Sequence, residues 1–167
     1  RHKLEDLNKK VRGINITEET TETSVSILHE LFNILKRFTF PCQKRIGKKW
    51  IVPHNGIYIF FEKGETITTS DGRVLDRIVR VGTHEKDNRL FNRIDQHFKG
   101  NIKSSIFRKD IGEALSTNNE GMISKYMQEN LSFVIFEVAT KEERLYWEEK
   151  NYPNTFKSSY IRTDISF

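Results

Sequence analysis

Residues Gly56-Ile57-Tyr58-Ile59-Phe60-Phe61 form an apolar run with no polar face. A strand that is apolar on both sides must be covered on both sides, so this one reads as central and buried. Glu62 to Asp76 is a polar excursion with turn signals at Lys63-Gly64 and Asp71-Gly72. It fits a hairpin connection with an elongated tip. Ile78 to Val81 supplies the second strand, closed by Gly82, and Ser132 to Val138 supplies a third that is again apolar on both faces. Between them lie helical patterns. Leu90, Phe91, Ile94 and Phe98 mark one inward face, and Ile106, Phe107, Ile111 and Leu115 mark a second. Ile123 to Glu129 reads as a short helix. Lys141 to Lys150 reads as an acidic helix with Leu145, Tyr146 and Trp147 on its apolar side. Upstream, apolar residues from Val25 to Phe38 recur at helical spacing, and Pro41 ends that helix. The order predicts an α+β fold: a small three-stranded mixed or antiparallel sheet flanked by helices, with an N-terminal helix.

The 167 residues suit one compact domain with a small extension. We expect an arm, helix and basic linker over 1–50, the sheet-and-helix domain over 51–150, and a tail over 151–167. Charge is unevenly spread. Between Ile34 and Phe61 there are six Lys or Arg residues and no acid, whereas acids gather in Glu18 to Glu22 and Lys141 to Glu149. Such one-sided clustering, here including Lys44, Arg45, Lys48 and Lys49, is the footprint of a polyanion binder. A solvated basic loop explains the same residues equally well. The one cysteine, Cys42, excludes an internal disulfide and matches no zinc-ligand spacing. No apolar stretch reaches membrane-span length and no signal peptide is visible, so a cytoplasmic protein without membrane contact is the expectation. The chain begins at Arg1, which leaves an upstream address open.

Individually, the chemically capable residues are ordinary. Tyr58 reads as a core or edge tyrosine. Arg93 and His97, spaced i and i+4, share a helix face and alone read as surface decoration. That face borders the apolar set Leu90, Phe91, Ile94 and Phe98, so the pair is expected along the edge of the sheet. Glu148 is the glutamate of the acidic helix best placed beside Leu145 and Trp147.

Taken in order, these residues resemble the GIY-YIG nuclease superfamily. Asn55-Gly56-Ile57-Tyr58, then a second strand ending in Gly82, is similar to the family's paired strand motifs. Arg89 to Phe98 resembles its first helix, and Glu143 to Lys150 its glutamate-bearing helix. Ser105-Ile106-Phe107-Arg108-Lys109-Asp110-Ile111-Gly112 also looks like a segment of bacterial members. The resemblance covers about Asn55 to Lys150. It implies a divalent-metal phosphodiesterase that cuts DNA, with Mg²⁺ or Mn²⁺ as cofactor. By position, Tyr58 would orient or deprotonate the attacking water, and Arg93 would pair with the scissile phosphate. His97 would hold or activate the Tyr58 hydroxyl or shuttle a proton, and Glu148 would anchor the metal. An Arg fork matches phosphate geometry, and a carboxylate is a natural ligand for Mg²⁺. DNA contacts are expected from Lys44, Arg45, Lys48, Lys49, Arg89, Arg108 and Lys109.

Three departures bear on activity. The second motif should read Tyr-x-Gly, but this chain has Arg80-Val81-Gly82. Arg80 either replaces the tyrosine as a phosphate ligand or alters the activity. Where many members place Lys after the Gly, Thr83-His84 stands here, and His84 is equally a functional group or a loop residue. The family's late Asn has Asn154 as its nearest candidate. The leading expectation is a metal-dependent DNA endonuclease of restriction type, acting as a homodimer or transient pair because two cuts need two sites. The alternatives are a nucleic-acid-binding module with altered catalysis on the same scaffold and a plain interaction domain.

Overall fold

The computed structural model describes residues 34–68 and 72–150, with side chains through Tyr146. Among the described residues, six strands and four helices follow in the order β1 (Phe38–Thr39), β2 (Arg45–Ile46), β3 (Lys49–Trp50), β4 (Gly56–Thr68), β5 (Val74–Thr83), α1 (Leu90–Lys99), α2 (Ile106–Ala114), α3 (Glu120–Asn130), β6 (Leu131–Glu137) and α4 (Lys141–Lys150). The described residues fall into two compact units. The smaller takes in the outer parts of β4 and β5 from Gly64 to Arg77, where Arg77 and Glu65 form an ion pair at 3.1 Å. The larger holds residues 37–63 and 78–150. No helix among the described residues is long and apolar enough to cross a membrane.

The α+β class and the order β–β–α–α–α–β–α hold, but the sheet has four strands in the order β1-β6-β4-β5. The added strand is β1, which pairs antiparallel with β6 through Phe38↔Phe133 and Thr39↔Ser132. Phe38, expected at the end of a helix, lies in this strand with its ring stacked on Phe133 at 5.5 Å. The rest of the expected N-terminal helix falls almost wholly outside the described residues. Strand β6 also pairs antiparallel with β4, from Gly56↔Glu137 to Glu62↔Leu131. Both doubly apolar runs therefore occupy the sheet interior, as a strand without a polar face requires.

Phe60 is at the centre of the core. Phe98, Phe107 and Phe133 surround it at ring distances of 5.3 to 5.6 Å. Leu90, Ile94, Phe98, Ile123 and Met127 close the helical layer over this face of the sheet. The polar excursion turns out to be strand on both sides of its tip, because β4 and β5 run past the apolar segments with alternating half-buried and exposed residues. The basic linker is likewise not a plain loop. It forms the hairpin β2–β3, with Arg45↔Trp50 and Ile46↔Lys49 in register. Gly47, at φ +59°, takes the first position of its two-residue turn, a conformation that a side chain would strain.

Helix α4 departs from expectation on its packing face. Leu145 and Tyr146 are exposed, and Arg144 is the buried residue among the described side chains of the helix. The Arg144 guanidinium donates to the Ala139 carbonyl at 2.8 Å and to Asp87 at 2.7 Å, tying the entry of α4 to the loop before α1. A charged residue covers the core here because its head is occupied by carbonyl and carboxylate acceptors.

Candidate active site

Strand β4, strand β5 and helix α1 bring the candidate residues together. Tyr58 points from β4 toward the helical layer, where its hydroxyl lies 2.7 Å from His97 Nε2. Both residues are fully buried. The rings of Phe60 and Phe107 stand edge-on to the imidazole at 5.8 and 5.6 Å. His97 is thus not on the sheet edge, as its helical spacing suggested, but boxed in by aromatic rings beneath β4.

Gly82 makes this approach possible. A Cβ built at position 82 would lie 2.3 Å from the Tyr58 hydroxyl and 2.6 Å from the carbon that bears it. The second strand's glycine is therefore the floor on which the phenol rests. Gly56 has a related role, since a Cβ there would lie 2.2 Å from the Phe136 carbonyl oxygen across the β4–β6 ladder. Its own carbonyl accepts a 2.6 Å hydrogen bond from Thr83 Oγ1, fastening the ends of β4 and β5 beside the site.

Two arginines border the Tyr58–His97 pair. Arg93, half-buried on α1, donates to Gln96 Oε1 at 2.7 Å and to the Ser104 carbonyl at 3.3 Å, both neutral acceptors. Arg80, half-buried on β5, has its Nε buried without a hydrogen-bond partner. Neither has an ion pair among the described residues. Their positive charge adds to the cost of protonating His97. Burial first, then Arg93, Arg80 and Arg108, lower its pKa from the ordinary 6.5 to about 3. His97 is a neutral imidazole at physiological pH.

This depression has a thermodynamic consequence. Between pH 6.5 and about 3 the unfolded chain binds a proton at His97 that the folded chain refuses. Stability is therefore expected to fall as pH drops through that window, by a total on the order of a few kcal/mol. Denaturant unfolding across the window reads it, with a shallower acid slope expected for His97→Gln. Equal slopes in the two proteins would contradict the depressed pKa.

The other residues singled out in the sequence are more scattered. Lys44, Arg45, Lys48 and Lys49 are exposed on and beside the β2–β3 hairpin. Lys44 sits over the Phe91 ring at 4.3 Å and Arg45 over the Trp50 ring at 4.2 Å. Since Phe91 belongs to α1, Lys44 at the foot of the hairpin reaches the helix that carries Arg93. Arg89 is exposed just before α1, and Lys109 is exposed and pairs with Glu113 at 3.6 Å. Arg108 was expected to contact DNA, but its side chain is fully buried and every described contact it makes is internal. His84 Nδ1 accepts from the Lys86 amide at 3.0 Å, a contact that shapes the loop. Glu148 lies on α4 with its side chain outside the described set, and Asn154 is outside altogether.

The residue that sequence reasoning missed is Ser105. It is buried, it caps α2 by accepting from the Arg108 amide at 3.2 Å, and its Oγ lies 2.7 Å from His97 Nδ1. Its sequence signals were its place as a serine just ahead of a helical pattern and at the head of the segment Ser105 to Gly112.

Among the described residues no group of three His, Cys, Asp or Glu side chains could cage a metal ion. A magnesium ion needs no such cage, because it is commonly held by one or two carboxylates, water and substrate phosphate.

A family model described as a GIY-YIG domain matches residues 18–152, most of the chain. No curated protein and no solved structure matches it significantly.

Proposed function

We propose, since the chain belongs to the GIY-YIG nuclease superfamily, that it is a divalent-metal-dependent endonuclease hydrolysing phosphodiester bonds in DNA. The observation that carries this reading is the pair of arginines beside Tyr58 and His97 that have no acidic partner among the described residues. Buried or half-buried cations are normally paired. A site that leaves two guanidiniums without a carboxylate is preset for an anion, and a guanidinium fork suits phosphate oxygens. Arg93 would hold the scissile phosphate as its charge develops. Arg80, standing where the second motif tyrosine is expected, would take a second phosphate oxygen. Tyr58 would orient or deprotonate the attacking water, with a neutral His97 behind it. Glu148 would hold Mg²⁺ or Mn²⁺.

The exposed hairpin would extend this cationic surface along the DNA backbone. Phosphate neutralisation shows itself as salt dependence, with log K falling by about 0.9 per neutralised phosphate on a log-salt axis. Replacing Lys44, Arg45, Lys48 and Lys49 together by Ala is expected to weaken duplex binding and flatten that slope, by about 0.9 for each phosphate left without its cation. An unchanged slope in fluorescence anisotropy titrations would remove the hairpin from the interface. Action as a homodimer and a restriction-type role are the finer parts of the proposal. The need for two cuts on a duplex supports the first of these.

Burial of Tyr58 favours one alternative, a nucleic-acid-binding module with altered catalysis, since a fully covered phenol meets no water in this state. Incubation of supercoiled plasmid with Mg²⁺ or Mn²⁺ separates the two. Nicking or linearisation by the wild type, lost in Arg93→Ala and Glu148→Ala, supports the nuclease. Salt-dependent binding without cleavage under either metal supports the module.

A further inference from the structure

The hydrogen-bond chain that begins at Tyr58 passes through His97 and ends at Ser105, and the proton count along it determines its direction. A serine hydroxyl has one proton and two lone pairs. Ser105 Oγ uses one lone pair to accept the Arg108 amide at the start of α2. Its other close partner among the described residues is His97 Nδ1 at 2.7 Å. If Nδ1 carried the imidazole proton and donated it, Ser105 would accept twice and its own buried hydroxyl proton would have no acceptor. If Ser105 donates to Nδ1, its own proton and both imidazole nitrogens are satisfied, as is the rule for buried polar atoms, while Tyr58 accepts from the ring and keeps its own proton for a further contact. A neutral imidazole that accepts at Nδ1 carries its proton on Nε2. That nitrogen then donates to the Tyr58 oxygen across 2.7 Å. The neutrality of the ring is supported by its burial and by the Arg93, Arg80 and Arg108 charges around it.

We propose that Ser105 is a positioning residue that holds His97 in the Nε2–H tautomer, making His97 a hydrogen-bond donor to Tyr58 rather than its base. A bond donated to a phenol oxygen favours the ionised form, so it opposes the rise that burial imposes on the Tyr58 hydroxyl. Arg80 from β5 and Arg93 from α1 act in the same direction. Ionisation requires that water be admitted to the phenol to take its proton, while His97 keeps its own. Tyr58 is thereby prepared to accept a proton from the attacking water, a role that rests on the nuclease reading above. The tautomer itself does not rest on it.

Long-range ¹⁵N–¹H correlation spectra of the His97 ring at neutral pH test the tautomer in the intact protein without any cleavage assay. The wild type is expected to show a protonated Nε2 and an unprotonated Nδ1. Ser105→Ala is expected to lose that pattern and to raise the Tyr58 pKa, read from the ¹³Cζ shift, by about one unit or more. Ser105→Thr, which keeps both the hydroxyl and the cap, is expected to restore both signals. Should Ser105→Ala fail to fold, the wild-type spectrum and the threonine variant still decide. A wild-type ring protonated on Nδ1, or an alanine variant with an unchanged ring pattern, overturns the proposal. If plasmid cleavage is absent while the tautomer is as stated, the nuclease reading fails and this one stands. If cleavage is present, the ascending limb of its pH profile should move with the Tyr58 pKa in Ser105→Ala.

Discussion

Tyr58→Phe is expected to lower plasmid cleavage by about 10²- to 10⁴-fold, the range for losing a positioned acid–base group. The substitution is close to a pure deletion of chemistry. The phenyl ring keeps its packing against Phe60 at 5.4 Å and its seat over Gly82. What disappears is the oxygen that meets His97 Nε2. His97 then has a buried ring nitrogen without this partner, so stability falls by about 1–3 kcal/mol. Duplex affinity should hold, because the cations of the hairpin and the two arginines remain. Cleavage rates, unfolding curves and binding titrations on the same preparation separate these three effects. Undiminished cleavage by Tyr58→Phe would remove the phenol from the reaction.

The largest stability effect is expected from Arg108→Met, at about 3–5 kcal/mol. Arg108 Nη1 donates to the His97 and Phe98 carbonyls at 2.9 and 3.0 Å. These are among the last carbonyls of α1, which lack partners within the helix. Nη2 donates to the Glu120 carbonyl at 3.1 Å and to Ser124 Oγ at 3.0 Å. It also pairs with the Glu120 carboxylate at 2.7 Å, and hydrogen bonds from Arg108 and from the Ile102 amide lower the pKa of that group. One side chain thus locks the end of α1 to the start of α3 from its own place on α2. Methionine fills much of the volume but leaves the carbonyls dry. The partly exposed glutamate can regain water, so the cost lies chiefly with the carbonyls. Equilibrium denaturation should show a lower midpoint at an unchanged slope. The salt dependence of DNA binding should stay as in the wild type, because this guanidinium faces inward. A flattened salt slope together with unaltered stability would return Arg108 to the interface.

These two residues also show what the sequence can and cannot reveal. Tyr58 was legible because the run around it has no polar side, which fixed its strand at the sheet centre. The α1 face was legible because Leu90, Phe91, Ile94 and Phe98 recur with the helix period, and all four are buried. Strand β1 was not legible, since two residues have no period and its pairing depends on a partner far along the chain. Arg108 and Arg144 look like surface charges in the sequence because residue type predicts exposure. Only the fold reveals that carbonyls at helix ends await their guanidiniums. The same limit hid Ser105, whose capping role is local but whose contact with His97 depends on how α2 packs beside α1. Leu145 and Tyr146 mislead in the opposite direction. They look like a packing stripe and face outward, because Arg144 covers that part of the core.

Gly82 leads to a practical conclusion about how such a site tolerates change. Its backbone lies outside the left-handed region, so a methyl group there would be harmless on conformational grounds. The obstacle is the tip of a phenol belonging to another strand. Positions 58 and 82 therefore behave as a single volume shared between two addresses, and filling one means vacating the other. Any engineering of this cleft has to treat them as one variable, with the smallest side chain in the protein setting the reach of its reactive ring.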